Sequence, residues 1–149
     1  MIAEATEKDI AELTGLIAEE FSYTKFNAEK LSQRMKKPGI FVFKKTENKK
    51  LIGFIEFEII GPVAMLNALS VKKEFRKQGH GKELLDFAIQ FLEEIPVKKI
   101  NLLVKKNNQI AKKLYKSAGF SFEKMHGKKI DNTEIEIWSA HIENDEYLN

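Results

Sequence analysis

The sequence predicts one α/β domain built on a mixed central sheet, and three observations carry that expectation. The apolar period switches between strand and helix in the order β-α-α-β-β-β-α-β-α-β-β. A length of 149 residues, 43% hydrophobic and 32% charged, suits a single folded unit with a real core. No linker, repeat or low-complexity segment interrupts the pattern.

Each element has a local cause. Residues 2–5 read as a short opening strand. Thr6 is placed to cap a helix, with Asp9 three residues on, and Ile10, Leu13, Leu16, Ile17 and Phe21 recur at helical spacing. Asn27 caps a second helix, with Ala28, Leu31 and Met35 inward and Pro38-Gly39 as its stop. An aromatic stretch, 21–26, joins the two. Strands at 40–45 and 51–60 flank the polar turn 47–50 as a hairpin, and Gly61-Pro62 separates them from a third strand at 63–71. A helix then runs to about residue 94, where Pro96 blocks it, and 100–104 is a short buried strand. Asn107-Asn108 opens a helix expected to carry Ile110, Ala111, Leu114, Tyr115 and Ala118 on one face, with Gly119 just past its end. Residues 120–126 and 134–140 form a closing pair around the turn 128–132, and the chain after Ile142 is expected to fray.

Composition removes several functions. There are no cysteines, which excludes disulfides, a thiol nucleophile and thiolate metal sites. With only His80, His126 and His141, a multi-histidine metal site is not expected. The net charge is +3, and the lysines fall in scattered pairs such as Lys44-Lys45 and Lys98-Lys99, most of which read as solvated faces while a few could serve an acidic ligand. Nothing there forms an aromatic-interleaved nucleic-acid patch. No apolar run has membrane-spanning length and the N-terminus lacks signal-peptide form, so a soluble cytoplasmic protein is expected, with no membrane partner.

The chemistry concentrates where the strand ending at Val71 meets a charged turn and two glycines, Arg76-x-x-Gly79-x-Gly81, before Leu84, Leu85, Ala88, Ile89 and Leu92 recur at helical spacing. A glycine loop opening a helix offers unpaired N–H groups and the positive end of the helix dipole to an anion. Arg76, Lys77 and Lys82 add positive charge around it. The dinucleotide and P-loop fingerprints do not match. The pattern resembles the coenzyme A pyrophosphate motif of the GNAT superfamily, the Gcn5-related N-acetyltransferases. A second stretch, Val104 to Phe120, is similar to that family's other signature, with Asn108, Ala111, Leu114, Tyr115, Gly119 and Phe120 all falling on it. On the two signatures together the chain is identified as a member, over nearly its whole length.

The resemblance implies a GNAT fold: a mixed, mostly antiparallel sheet of about seven strands with flanking helices. It implies acetyl-CoA as cofactor and direct attack of an unprotonated primary amine on the thioester. Backbone groups of Leu69 and Val71, with Ser70 between them, should pair with the pantetheine arm like an added strand. Arg76 and Lys77 begin the loop, and N–H groups from Gln78 through Gly79, His80 and Gly81 to Lys82 should cradle the diphosphate. Asn108, with Ala111 beside it, should meet the pantetheine arm. Tyr115 should protonate the departing thiolate. His80 is expected to be solvated rather than catalytic.

The chain departs from better-known members at the base. The positions where histone-type and ribosomal-protein-type enzymes carry a glutamate are occupied here by Met65 and Leu103. Glu56 and Glu58 alternate with Ile55 and Phe57, so they share a face opposite the core side. They are read either as solvent-facing carboxylates or, for one of them, as the general base. Asn67, read by alternation as sharing a face with Leu69 and Val71, is a candidate to position a water, and Glu20 and Tyr23 stand where family acceptor sites often have a wall. The acceptor is expected to be a small-molecule amine or a protein or peptide amine. The alternative is a non-catalytic acyl-CoA-binding sensor of the same fold. The edge strands of the closing pair leave a homodimer open.

Overall fold

The computed structural model describes residues 1–20 and 27–142. The aromatic stretch 21–26, with Tyr23, and the tail 143–149 lie outside the described residues, as does the side chain of Glu20.

Among the described residues seven strands form one sheet. They are β1 (Ile2–Glu4), β2 (Ile40–Glu47), β3 (Lys50–Ile60), β4 (Val63–Val71), β5 (Lys99–Lys105), β6 (Ser121–Ile130) and β7 (Thr133–His141), in spatial order β1-β2-β3-β4-β5-β7-β6. Every neighbouring pair is antiparallel except β4 and β5, which run parallel. The helices are α1 (Ile10–Glu20), α2 (Ala28–Met35), α3 (His80–Glu93) and α4 (Gln109–Ser117). The mixed seven-stranded sheet is the one expected.

Local chemistry explains most element ends. The Thr6 N–H donates to Asp9 Oδ2 at 2.8 Å, but the box closes a single 3₁₀ turn, Glu7–Asp9, before α1 begins. Asn27 caps α2 as expected, accepting from the Lys30 N–H at 2.9 Å. The two-residue turn Asn48-Lys49 has both residues left-handed (φ 50° and 65°), and so does Asp131-Asn132 (φ 51° and 61°). Such turns match the right-handed twist of paired strands. They let both hairpins run longer than the sequence suggests. In β6 the extra residues are absorbed at register shifts between Phe122 and Lys124 and between Met125 and Lys129.

Both faces of the sheet are covered. On one side α3 and α4 pack over Ile55, Phe57, Leu66, Leu102 and Trp138, with Phe41, Phe43, Phe57 and Phe91 in mutual ring contact. On the other, α1 and α2 pack over Val42, Leu51 and Phe54 through Leu13, Leu16 and Leu31. This second layer corrects the reading of Glu56 and Glu58 as facing away from the core. Glu56 is only 4% exposed and its Oε1 accepts from Arg34 of α2, while Glu58 is half-buried. A core on both faces erases the half-exposed strand that the alternation implied. Ile110, expected inward on α4, is 83% exposed, because only Ala111, Leu114, Tyr115 and Ala118 turn toward the sheet.

One irregularity shapes the centre of the sheet. Glu56 pairs with Ala68 but Phe57 pairs with Leu66, leaving Asn67 as the extra residue of a β-bulge. The bulge reverses the phase of β4. Ala64 and Leu66 face α3 before it, and Leu69 and Val71 do so after it. Asn67 therefore does not share the face of Leu69 and Val71 by simple alternation.

Candidate active site

The parallel pairing of β4 and β5 runs from Val63 opposite Lys99 to Leu66 opposite Leu102 and then stops. Beyond it the strands part. Asn67, Ala68 and Leu69 line one wall and Leu103, Val104 and Lys105 the other, around a cavity of about 420 Å³ closed by Asn108, Ala111 and Tyr115 of the α4 region. A bulge next to a site re-aims a strand in this way.

The opened edge of β4 carries free backbone valences. The Lys72 N–H donates to the Ile52 carbonyl at 2.8 Å. Antiparallel alternation then turns the groups of Ser70 toward β3 and those of Leu69 and Val71 away from it, toward the gap. The Val71 carbonyl accepts from Arg76 Nε at 3.0 Å, which ties the first residue of the loop to the strand. On the β3 side the chains run close. A Cβ on Gly53 would stand 2.3 Å from the Ser70 carbonyl oxygen.

A groove of about 550 Å³ continues from Leu69, Ser70 and Val71 along Phe75, Arg76, Lys77, Gly79, His80, Gly81 and Lys82, and back to Asn108, Ala111 and Tyr115. Its floor is the N-terminus of α3. Gly79 is the N-cap, left-handed at φ 88°, and brings no side-chain acceptor to the first-turn N–H groups. Those donors are left for a ligand anion. Lys77 is also left-handed (φ 63°), a strained conformation for a residue with a Cβ. The helix opposite is finished differently. Asn108 caps α4 with its own Oδ1, taking the Ala111 N–H at 3.1 Å, which leaves its amide nitrogen as the group available to the cavity.

Leu69, Asn108, Ala111 and Tyr115 belong to both hollows, so Tyr115 stands where they join. Burial pushes its phenol up to about 12, so it holds its proton throughout the neutral range. Among the described residues that line the two hollows none is a carboxylate, and no cluster of metal-binding type occurs. Leu103 is 40% exposed on the cavity wall.

The structure thus gathers Leu69 to Val71, Arg76 to Lys82, Asn108, Ala111 and Tyr115 around one continuous hollow, with Gln78 in the same loop. Glu56 and Glu58 line neither part of it. His80 is corrected from a solvated loop residue to the first, buried residue of α3, 7% exposed. Behind it lies a group that sequence reasoning missed. Lys45, read as half of a solvated lysine pair, is 3% exposed, with Nζ 2.7 Å from His80 Nδ1. The signal was its phase, two and four residues after Phe43 and Phe41 on one strand face.

Comparison with known proteins accords with this geometry. Residues 8–120 match the acetyltransferase (GNAT) family. A ribosomal protein bS18-alanine N-acetyltransferase of Haemophilus ducreyi is 36% identical over 78 residues, 52% of this chain and 54% of that protein. The chain thus spans about half the length of the curated relatives it matches. Among solved structures, the ribosomal-protein-S18-alanine N-acetyltransferase of Escherichia coli superimposes with a TM-score of 0.84 at 20% identity, covering 95% of this chain and 93% of that one. An N-acetyltransferase of Thermoplasma acidophilum in complex with coenzyme A gives 0.80 at 22% identity, covering 95% and 98%. With three quarters of its length on the family pattern and the family's fold throughout, the chain belongs to the GNAT acetyltransferase family.

Proposed function

We propose that this protein is an N-acetyltransferase that moves the acetyl group of acetyl-CoA to a primary amine. The observation that carries the reading is Tyr115, a phenol held protonated at the junction of an anion-binding groove and a cavity opened between two parted strands. When bound, acetyl-CoA supplies an activated acyl group.

The residues divide the work. Uncapped N–H groups from Gly79 into α3, with Arg76 and Lys77 around them, bind the diphosphate. The Leu69 and Val71 backbone and the Asn108 amide align the pantetheine arm. Tyr115 gives its proton to the departing sulfur. Because no carboxylate among the described residues lines the hollow, the amine loses its proton to water, with Asn67 on the bulge as one of the polar groups at the cavity wall.

The acceptor is an amine of a small molecule or of a protein. The relatives named for the alanine of ribosomal protein bS18 make a peptide N-terminus the first to try. Leu103, where the resemblance puts the ribosomal-type base, argues for a different acceptor from theirs. The lack of a carboxylate among the described lining residues also favours a second reading, an acyl-CoA sensor without turnover. Release of free thiol from acetyl-CoA over a panel of peptides, polyamines and amino acids separates the two, undisturbed by protein cysteines. Tight binding without release from any amine would favour the sensor.

A further inference from the structure

We propose that Lys45 is a positioning residue for the coenzyme diphosphate, bracing the first turn of α3 from beneath; this rests on the coenzyme reading above. Its side chain is 4% exposed, on the α3 side of β2. Its Nζ meets His80 Nδ1 at 2.7 Å and forms an ion pair with Glu83, with Glu47 farther off at 4.0 Å. Phe75, in the turn before the loop, stands with its ring perpendicular to that of His80, the centroids 6.4 Å apart. His80 thus contacts both the sheet, through Lys45, and the loop's entry, through Phe75.

Three effects converge on the anion site. The contact between Nδ1 and the Lys45 Nζ holds the imidazole in one orientation. Fixing that ring fixes the His80 peptide, whose N–H is among the uncapped donors. Glu83 lies in the first turn of α3, where its charge opposes a bound diphosphate, and Lys45 cancels it. The Glu83 carboxyl is held below the usual carboxylate range chiefly by this hydrogen bond. Finally, the buried Lys45 charge is paired with Glu83 and His80 and is thereby held in place. A cation enclosed behind the loop acts through less water than Arg76 or Lys77 on its outer rim.

Calorimetric titration with coenzyme A tests this in Lys45→Met, which keeps the side-chain volume. The affinity should fall about ten-fold, the scale of one hydrogen bond to a charged group. Phosphorus NMR of bound coenzyme should change at the diphosphate and not at the ribose phosphate, a readout separate from the stability lost when His80 Nδ1 is left unpartnered. Wild-type affinity in Lys45→Met overturns the proposal while leaving the coenzyme reading intact. Failure of the wild type to bind overturns both. Should Lys45→Met not fold, His80→Leu and His80→Asn answer the same question. Asn restores the acceptor of Nδ1, so it should recover affinity that Leu loses, and equal losses contradict the role.

Discussion

The ring of Tyr115 lies 5.9 Å from that of Phe120, the planes crossing at 57°. Phe120 is 2% exposed and its N–H donates to the Tyr115 carbonyl at 3.0 Å, so the end of α4 and the start of β6 hold the phenol in one place. Removing only the hydroxyl should spare that packing. Tyr115→Phe should bind coenzyme A as the wild type does and melt within a few degrees of it. Its turnover should fall about 100-fold or more, the scale of a lost general acid. Unchanged turnover would remove the role.

The same phenol sets an alkaline signature. Its folded value near 12 stands above the ordinary 10, so its contribution to stability is complete below pH 10 and lost between 10 and 12. The loss is on the order of 3 kcal/mol. Base titration of folded protein should show tyrosinate absorbance near pH 12 that is missing in Tyr115→Phe, and only the wild type should lose this increment of stability. A phenol titrating near 10 would contradict its burial.

Acid stability should turn on Glu136. Burial alone would raise its carboxyl, but the Trp138 indole N–H at 2.8 Å and the Lys112 ammonium at 3.0 Å outweigh it, and the group titrates below its usual 4.5. Its contribution is therefore present above pH 4.5 and lost as pH falls through the lower folded value. Glu136→Ala, which strands both partners, should cost about 2–4 kcal/mol at neutral pH. Glu136→Gln should flatten the acid limb of the stability curve. Urea midpoints at stepped pH measure both, and an unchanged acid limb would count against the assignment.

Much of the fold was legible because its causes are local. Asn27, Gly61-Pro62 and Gly119 mark ends, and the apolar phase marks faces. The candidate hollow was legible through two spaced signatures carrying Gly79, Gly81, Asn108 and Tyr115. What escaped depends on partners distant in sequence. Glu56 reads as exposed until α2 brings Arg34 to it. Lys45 reads as solvated until His80 and Glu83, 35 and 38 residues later, close over it. The bulge at Asn67 exists only in the pairing of two strands, so alternation along β4 alone could not show the phase reversal.

Glu56, buried against Arg34 and off the cavity wall, should act on stability rather than on chemistry. Glu56→Ala should destabilise by about 2–3 kcal/mol while leaving kcat near that of the wild type once the protein is folded. A collapse of kcat with stability intact would make it the base instead.

Gly53 tests the closeness of β3 and β4. Its Cβ would meet backbone, which cannot rotate away. Gly53→Ala should therefore cost about 2 kcal/mol or more. A melting temperature equal to that of the wild type would mean that the strands part more easily than their register implies.

Everything proposed for the reaction depends on the groove over Gly79 holding the coenzyme, and thermal unfolding with about 1 mM acetyl-CoA probes that dependence without an acceptor. At micromolar affinity such a concentration adds about 4 kcal/mol, a rise on the order of 10 °C for a domain of this size. That rise is expected in the wild type and in Tyr115→Phe alike. No shift in either would mean that the loop from Arg76 to Gly81 is not a working coenzyme site, and the acetyltransferase reading would fall with it.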